Sequence, residues 1–228
     1  MLYALGDPVS FVVLILSFLL AATLHGWVQA VVATRTGDRR PAMEGRTRPD
    51  PRRHVDPFGA VAAAIAGVGW ARPVEPPDRR RRGALLAVLL SGAVANLVVG
   101  FALLVGFRLA GGNVTGTTVQ LLQYGVGQGI GGGDLLLRVL LMLGLMNVFV
   151  GALSLVPLPP LDGGRLLFAL APRTPGWQKA EYQLDERNIG IAVLLALLLI
   201  PLGGPQALLP VLLDTVVGPL LDLVTGAG

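Results

Sequence analysis

The apolar run VSFVVLILSFLLAATLHGWVQAVVA, Val9 to Ala33, decides the fold. It contains no Asp, Glu, Lys or Arg, and at about 1.5 Å of rise per residue a helix of this length crosses the hydrocarbon of a bilayer. The composition of the whole chain points the same way. Of its 228 residues 53% are hydrophobic and 14% charged, with a mean hydropathy of +0.68; a soluble domain of this size does not tolerate such values. An all-α integral membrane protein follows. The length leaves room for a single membrane domain and for no large soluble one.

Orientation is read from charge. The first span, 9–33, is preceded by Asp7 rather than by a basic stretch, which argues against a cleavable signal peptide. Between Thr34 and Arg82 lie twelve of the eighteen basic residues against six acids. That excess places the loop 34–82 in the cytoplasm and the N-terminus outside. Within it, Phe58 to Ala71 is apolar but too short to cross, and reads as a re-entrant or interfacial segment. Further spans are expected at 85–109 and 135–156, joined by a Gly-rich external loop, 111–133. A cytoplasmic segment, 157–188, then leads to a terminal helical hairpin, 189–202 and 207–223, broken by Pro201, Gly203, Gly204 and Pro205. The total is about five membrane-crossing helices plus the re-entrant segment.

Several classes drop out. The absence of cysteine removes disulfides, thiolate metal sites and cysteine nucleophiles. The pI near 10.3 does not signal nucleic acid, because the positive charge clusters beside apolar spans, where it sets topology and meets lipid headgroups; Arg79 to Arg82 are read in this way. Seventeen arginines against one lysine suggest a GC-rich bacterial genome, hence a multi-pass protein of a bacterial cell membrane. The Gly125, Gly127, Gly129 run follows no strand, so it is not a nucleotide loop.

The polar groups inside the apolar runs carry the functional question. His25 lies roughly 24 Å along the first helix. An ionisable group at that depth must find a partner or stay neutral at a cost of a few kcal/mol, which marks either a functional site or a packing hydrogen bond. Gln29 projects from the same helical face one turn on. Asp162 closes Pro157-Leu158-Pro159-Pro160-Leu161-Asp162-Gly163-Gly164. It reads either as a turn residue capping a helix from Arg165 to Leu170, or as a carboxylate carried by irregular backbone to the depth of His25. The residues alone leave both readings open.

The stretch His25-Gly26-Trp27-Val28-Gln29 stands where an apolar helix would show His-Glu-x-x-His, the zinc and general-base signature of metalloproteases. Further along come Thr36-Gly37-Asp38, Gly45-Arg46, Asp50-Pro51 and His54-Val55-Asp56-Pro57-Phe58-Gly59. Trp70-Ala71-Arg72-Pro73-Val74, Ser91 to Asn96 and the Pro-Leu-Asp-Gly-Gly segment complete the series. In this order the motifs resemble those of compact bacterial site-2 proteases, the intramembrane zinc metalloprotease family. The resemblance implies that His25 matches the first zinc histidine and Asp162 the carboxylate ligand. It also implies that Gly26 replaces the catalytic glutamate, Gln29 the second zinc histidine, and Ser154 an asparagine near the substrate-binding region. Asn96 and Asn147 are retained and are expected to hydrogen-bond across the core, while Gly92, Asn96 and Gly100 form a small-residue packing face.

Catalytic zinc takes three protein ligands and a water, and two of the expected ligands remain. The leading expectation is a pseudoprotease without a cofactor that binds transmembrane segments or partner membrane proteins, in contact with membrane lipid and not with nucleic acid. An alternative keeps zinc on His25, Asp162 and His54, although resembling proteins carry the histidine matched by His54 in addition to a full ligand set. A small transporter or channel using His25, Gln29 and Asp162 as a polar relay is a further alternative. A rhomboid-type serine protease is excluded, since Ser17, Ser91 and Ser154 lack a suitable base.

Overall fold

The computed structural model describes residues 7–75, 77, 81–112, 134–201 and 207–225. Most of the Gly-rich loop, Arg79 and Arg80 of the basic run, and the turn at 202–206 lie outside the described residues. The elements in chain order are α1 (Pro8–Arg35), α2 (Arg40–Met43), α3 (Pro51–His54), α4 (Pro57–Ala66), α5 (Arg82–Leu109), α6 (Leu135–Ser154), α7 (Asp162–Leu170), α8 (Pro175–Glu181), α9 (Ile189–Leu199) and α10 (Leu208–Thr225). A π-helical turn, Tyr182–Glu186, follows α8. Among the described residues there is no β-strand, only an isolated antiparallel bridge between Val55 and Ala71. The fold is all-α, as the composition demands.

Three helices, α1, α5 and α6, are long and apolar enough to cross a membrane, and they pack against one another pairwise as the core. The start of α1 is fixed locally. Pro8 occupies the first turn, and the Asp7 carboxylate accepts hydrogen bonds from the Ser10 backbone N–H and hydroxyl. Asp7 also pairs with Arg138 of α6 at 2.8 Å, which brings the N-terminal ends of α1 and α6 together. Close approach of α5 to α6 depends on paired glycines: a Cβ on Gly100 would stand 2.9 Å from the Gly144 carbonyl. Outward-facing positions such as Val12, Leu16 and Leu20 on α1 and Val94 and Val98 on α5 are exposed apolar side chains. A continuous surface of this kind suits lipid rather than water.

The two helices expected as a terminal hairpin are present as α9 and α10, and both are apolar. With 11 residues, α9 rises about 16 Å, and α10 continues through Pro219 to Thr225. The described residues therefore contain three full-length apolar helices and several shorter ones.

Between α1 and α5 the chain folds back under the core. Asp56 caps α4 through the Gly59 N–H at 2.9 Å, and Gly67, with φ of 84°, ends it in the left-handed conformation. The chain then returns in extended form through Trp70 and reaches Ala71 opposite Val55. Gly59 and Gly69 lie at the crossing of the two arms, where a Cβ on either would collide with backbone of the other. Phe58 to Ala71 is thus a helix with an extended return whose ends meet.

Candidate functional site

Two buried side chains from distant parts of the sequence meet at the heart of the molecule. His25 Nε2 lies 2.7 Å from Asp162 Oδ2, and the two residues are 3% and 4% exposed. With the carboxylate accepting, the imidazole proton sits on Nε2. The route that carries Asp162 inward is the Pro-rich run after α6, including a cis Pro159–Pro160 bond, followed by two glycines. Gly163 packs on the Leu155 and Val156 carbonyls and Gly164 on the Leu158–Pro159 backbone so closely that neither accepts a side chain. Asp162 begins α7, whose positive end favours a carboxylate there. The helix expected from Arg165 starts three residues earlier, and Leu161, not Asp162, is its N-cap.

The His25 ring is received by α5. A Cβ on Gly92 would approach its Nε2, Cδ2 and Cε1 to 2.6, 2.7 and 2.8 Å, so glycine leaves the notch that the ring fills. A cavity of about 10 Å³, enough for one water at most, adjoins the pair and is lined by His25, Trp70, Ala71, Pro73, Ser154, Pro160, Leu161 and Asp162. Gln29 is fully buried on the same helix, and neither its amide oxygen nor its nitrogen has a hydrogen-bond partner. Asn96 Nδ2 donates to the Ala21 carbonyl at 3.2 Å and so links α5 to α1. Asn147, expected to bond across the core, instead donates to Leu143 of its own helix at 2.8 Å, because that carbonyl lies one turn away. Ser154 likewise donates to Gly151 at 2.7 Å.

His54 does not join the pair. Its Nε2 donates to the Arg48 carbonyl at 2.9 Å, and its Nδ1 faces Gly26 without a hydrogen-bond partner. Burial lowers its pKa below the ordinary histidine value, opposed in part by the Arg48 carbonyl, and this favours the neutral ring.

Arg46, of the Gly45-Arg46 motif, and Arg165 also shape the site. Arg46, 7% exposed, donates to the Arg72 and Pro73 carbonyls at 2.8 and 2.9 Å; Arg165, one turn after Asp162, donates to the Val74 carbonyl at 3.0 Å. Three successive carbonyls of the extended segment are thereby satisfied without a partner strand. An arginine following Asp-Gly-Gly by one position is the available signal, and it is weak.

These donors fit a catalytic zinc poorly. Among the described residues no three His, Cys, Asp or Glu side chains form a metal-binding group. The imidazole of a zinc ligand almost always donates its second N–H to an orienting acceptor, whereas His25 Nδ1 has no hydrogen-bond partner. The 2.7 Å between His25 and Asp162 is a direct hydrogen bond; two ligands sharing tetrahedral zinc at their usual bond lengths stand roughly 3.4 Å apart.

A helical membrane core with a buried histidine–carboxylate pair, the carboxylate carried at the start of α7 in a Leu-Asp-Gly-Gly sequence, defines the class. Comparison with known proteins agrees. The model of peptidase family M50 matches residues 31–201. "Putative zinc metalloprotease YwhC" of Bacillus subtilis (strain 168) is 33% identical over 198 residues, covering 84% of this chain and 82% of that protein. No solved structure matches. The chain belongs to peptidase family M50, the site-2 protease family, and is a membrane protein of that family. The matched span includes His54 and Asp162 and begins beyond His25 to Gln29.

Proposed function

We propose that this protein is a non-hydrolysing member of its family, which uses the protease fold to bind transmembrane segments or partner membrane proteins. Supporting this reading most directly is the arrangement around His25. The imidazole is spent on Asp162, while glycine and an amide occupy the positions where the family motif has its glutamate and second histidine. Gly26 has no group to take or give a proton. A general base typically contributes 10² to 10⁴ fold, and loss of a metal ligand compounds that loss. The protein works without a metal cofactor and resides in a bacterial cell membrane as a multi-pass protein with its N-terminus outside. The family's membrane-embedded chemistry and the concentration of basic residues between Thr34 and Arg82 support that placement.

The test is incubation of the purified protein with candidate transmembrane substrates, with and without added zinc. No cleavage above background is expected. Zinc-dependent cleavage abolished by Asp162→Ala contradicts the proposal and restores the protease reading.

A further inference from the structure

The contact between Gly26 and His54 joins parts of the molecule that the family motif treats separately. A Cβ on Gly26 would stand 2.8 Å from His54 Nδ1, 3.2 Å from its Cβ and 3.3 Å from its Cγ. The imidazole therefore rests on the bare Cα of α1, and the close atoms include the root of the side chain as well as its ring. His54 is fully buried, and its Nε2 is tied to Arg48. Its own carbonyl accepts from the Arg72 N–H at 2.6 Å, and the next residue, Val55, bridges Ala71. Trp70, Ala71 and Pro73 are wall residues of the cavity beside His25 and Asp162. One residue thus touches α1 with its ring, the basic loop with Nε2 and the cavity wall with its backbone.

We propose that His54 is a positioning residue, seated in the notch that Gly26 leaves on α1, and that this seat holds the Trp70 to Pro73 wall closed over the His25–Asp162 pair. A side chain at position 26 presses on both the ring and the base of His54 and pushes it from its seat, and Arg72 and Ala71, tied to the backbone at 54 and 55, move with it. Overpacked buried sites relieve themselves by such backbone shifts. The inference holds whether or not the protein cuts peptides.

The chain has no cysteine, so one introduced thiol reports the state of the wall. Ala71→Cys places it at a position that is 8% exposed, and Leu141→Cys places a control in the fully buried face of α6. With purified protein in detergent, Gly26→Leu is expected to speed maleimide labelling of Ala71→Cys by about tenfold or more and to leave Leu141→Cys protected. His54→Ala on its own, which removes the imidazole from the seat, is likewise expected to speed labelling of Ala71→Cys and to leave Leu141→Cys protected. Unchanged labelling at Ala71→Cys in Gly26→Leu overturns the proposal. So does equal acceleration at Leu141→Cys, which means general unfolding, and so does His54→Ala labelling no faster at Ala71→Cys than the protein with His54 in place.

Discussion

His25 is held from two sides, by a hydrogen bond to Asp162 and by the bare backbone of Gly92. Each hold makes its own prediction. Removing either member of a buried hydrogen-bonded pair strands the other, so His25→Ala and Asp162→Ala should not be additive; a coupling of about 1 to 3 kcal/mol is expected in a double-mutant cycle of thermal stability in detergent. Additive losses would mean that the two groups do not interact. Gly92→Ala should destabilise by about 1 to 3 kcal/mol, because its Cβ enters the imidazole. That cost should vanish in a His25→Ala background, and a cost that persists would place the clash elsewhere. At this scale the sequence was informative where chemistry is unusual. A histidine and an aspartate beside apolar runs stand out, and the family resemblance pointed to the pair that the structure brings within 2.7 Å. Arg165 does not stand out, and the Gly45-Arg46 motif gives no sign of its role, since an arginine that satisfies backbone carbonyls has the same local sequence as one that faces headgroups. Asn147 was read as crossing the core, and a carbonyl one turn back on its own helix competes for it.

At the scale of elements, the extended return from Val68 to Glu75 is the least self-sufficient part of the fold. It has one isolated bridge, and the carbonyls of residues 72 to 74 depend on Arg46 and Arg165. Arg46→Ala leaves two of these acceptors without their donors. It should raise the rate of limited proteolysis within residues 68–75 without changing cleavage elsewhere; an unchanged rate at that segment would show that the clamp is dispensable. By contrast, Gly106 in α5 has open space around its missing Cβ, so Gly106→Ala should stabilise the helix by about 0.5 to 1 kcal/mol. Helix positions were largely readable from hydropathy, because apolar runs need the helix to satisfy their backbone groups in lipid. What hydropathy did not reveal was that α9 stops at 11 residues, or that the Phe58 to Ala71 segment is half helix and half extended. The glycine crossing that forces the latter pairs residues 59 and 69, and such a pairing leaves no periodic pattern in the sequence.

At the scale of the whole molecule, the chain is a helical membrane protein of the M50 family built around the His25–Asp162 pair. Three long helices enclose the His25–Asp162 pair, the Pro-rich run and α7 deliver the carboxylate, and the returning segment covers it. The decisive measurement is the zinc content of protein purified without a histidine tag. Far less than one zinc per chain, unchanged by Asp162→Ala, is the expected result; one zinc per chain, lost on Asp162→Ala, would contradict the reading of this protein as a family member without a catalytic metal.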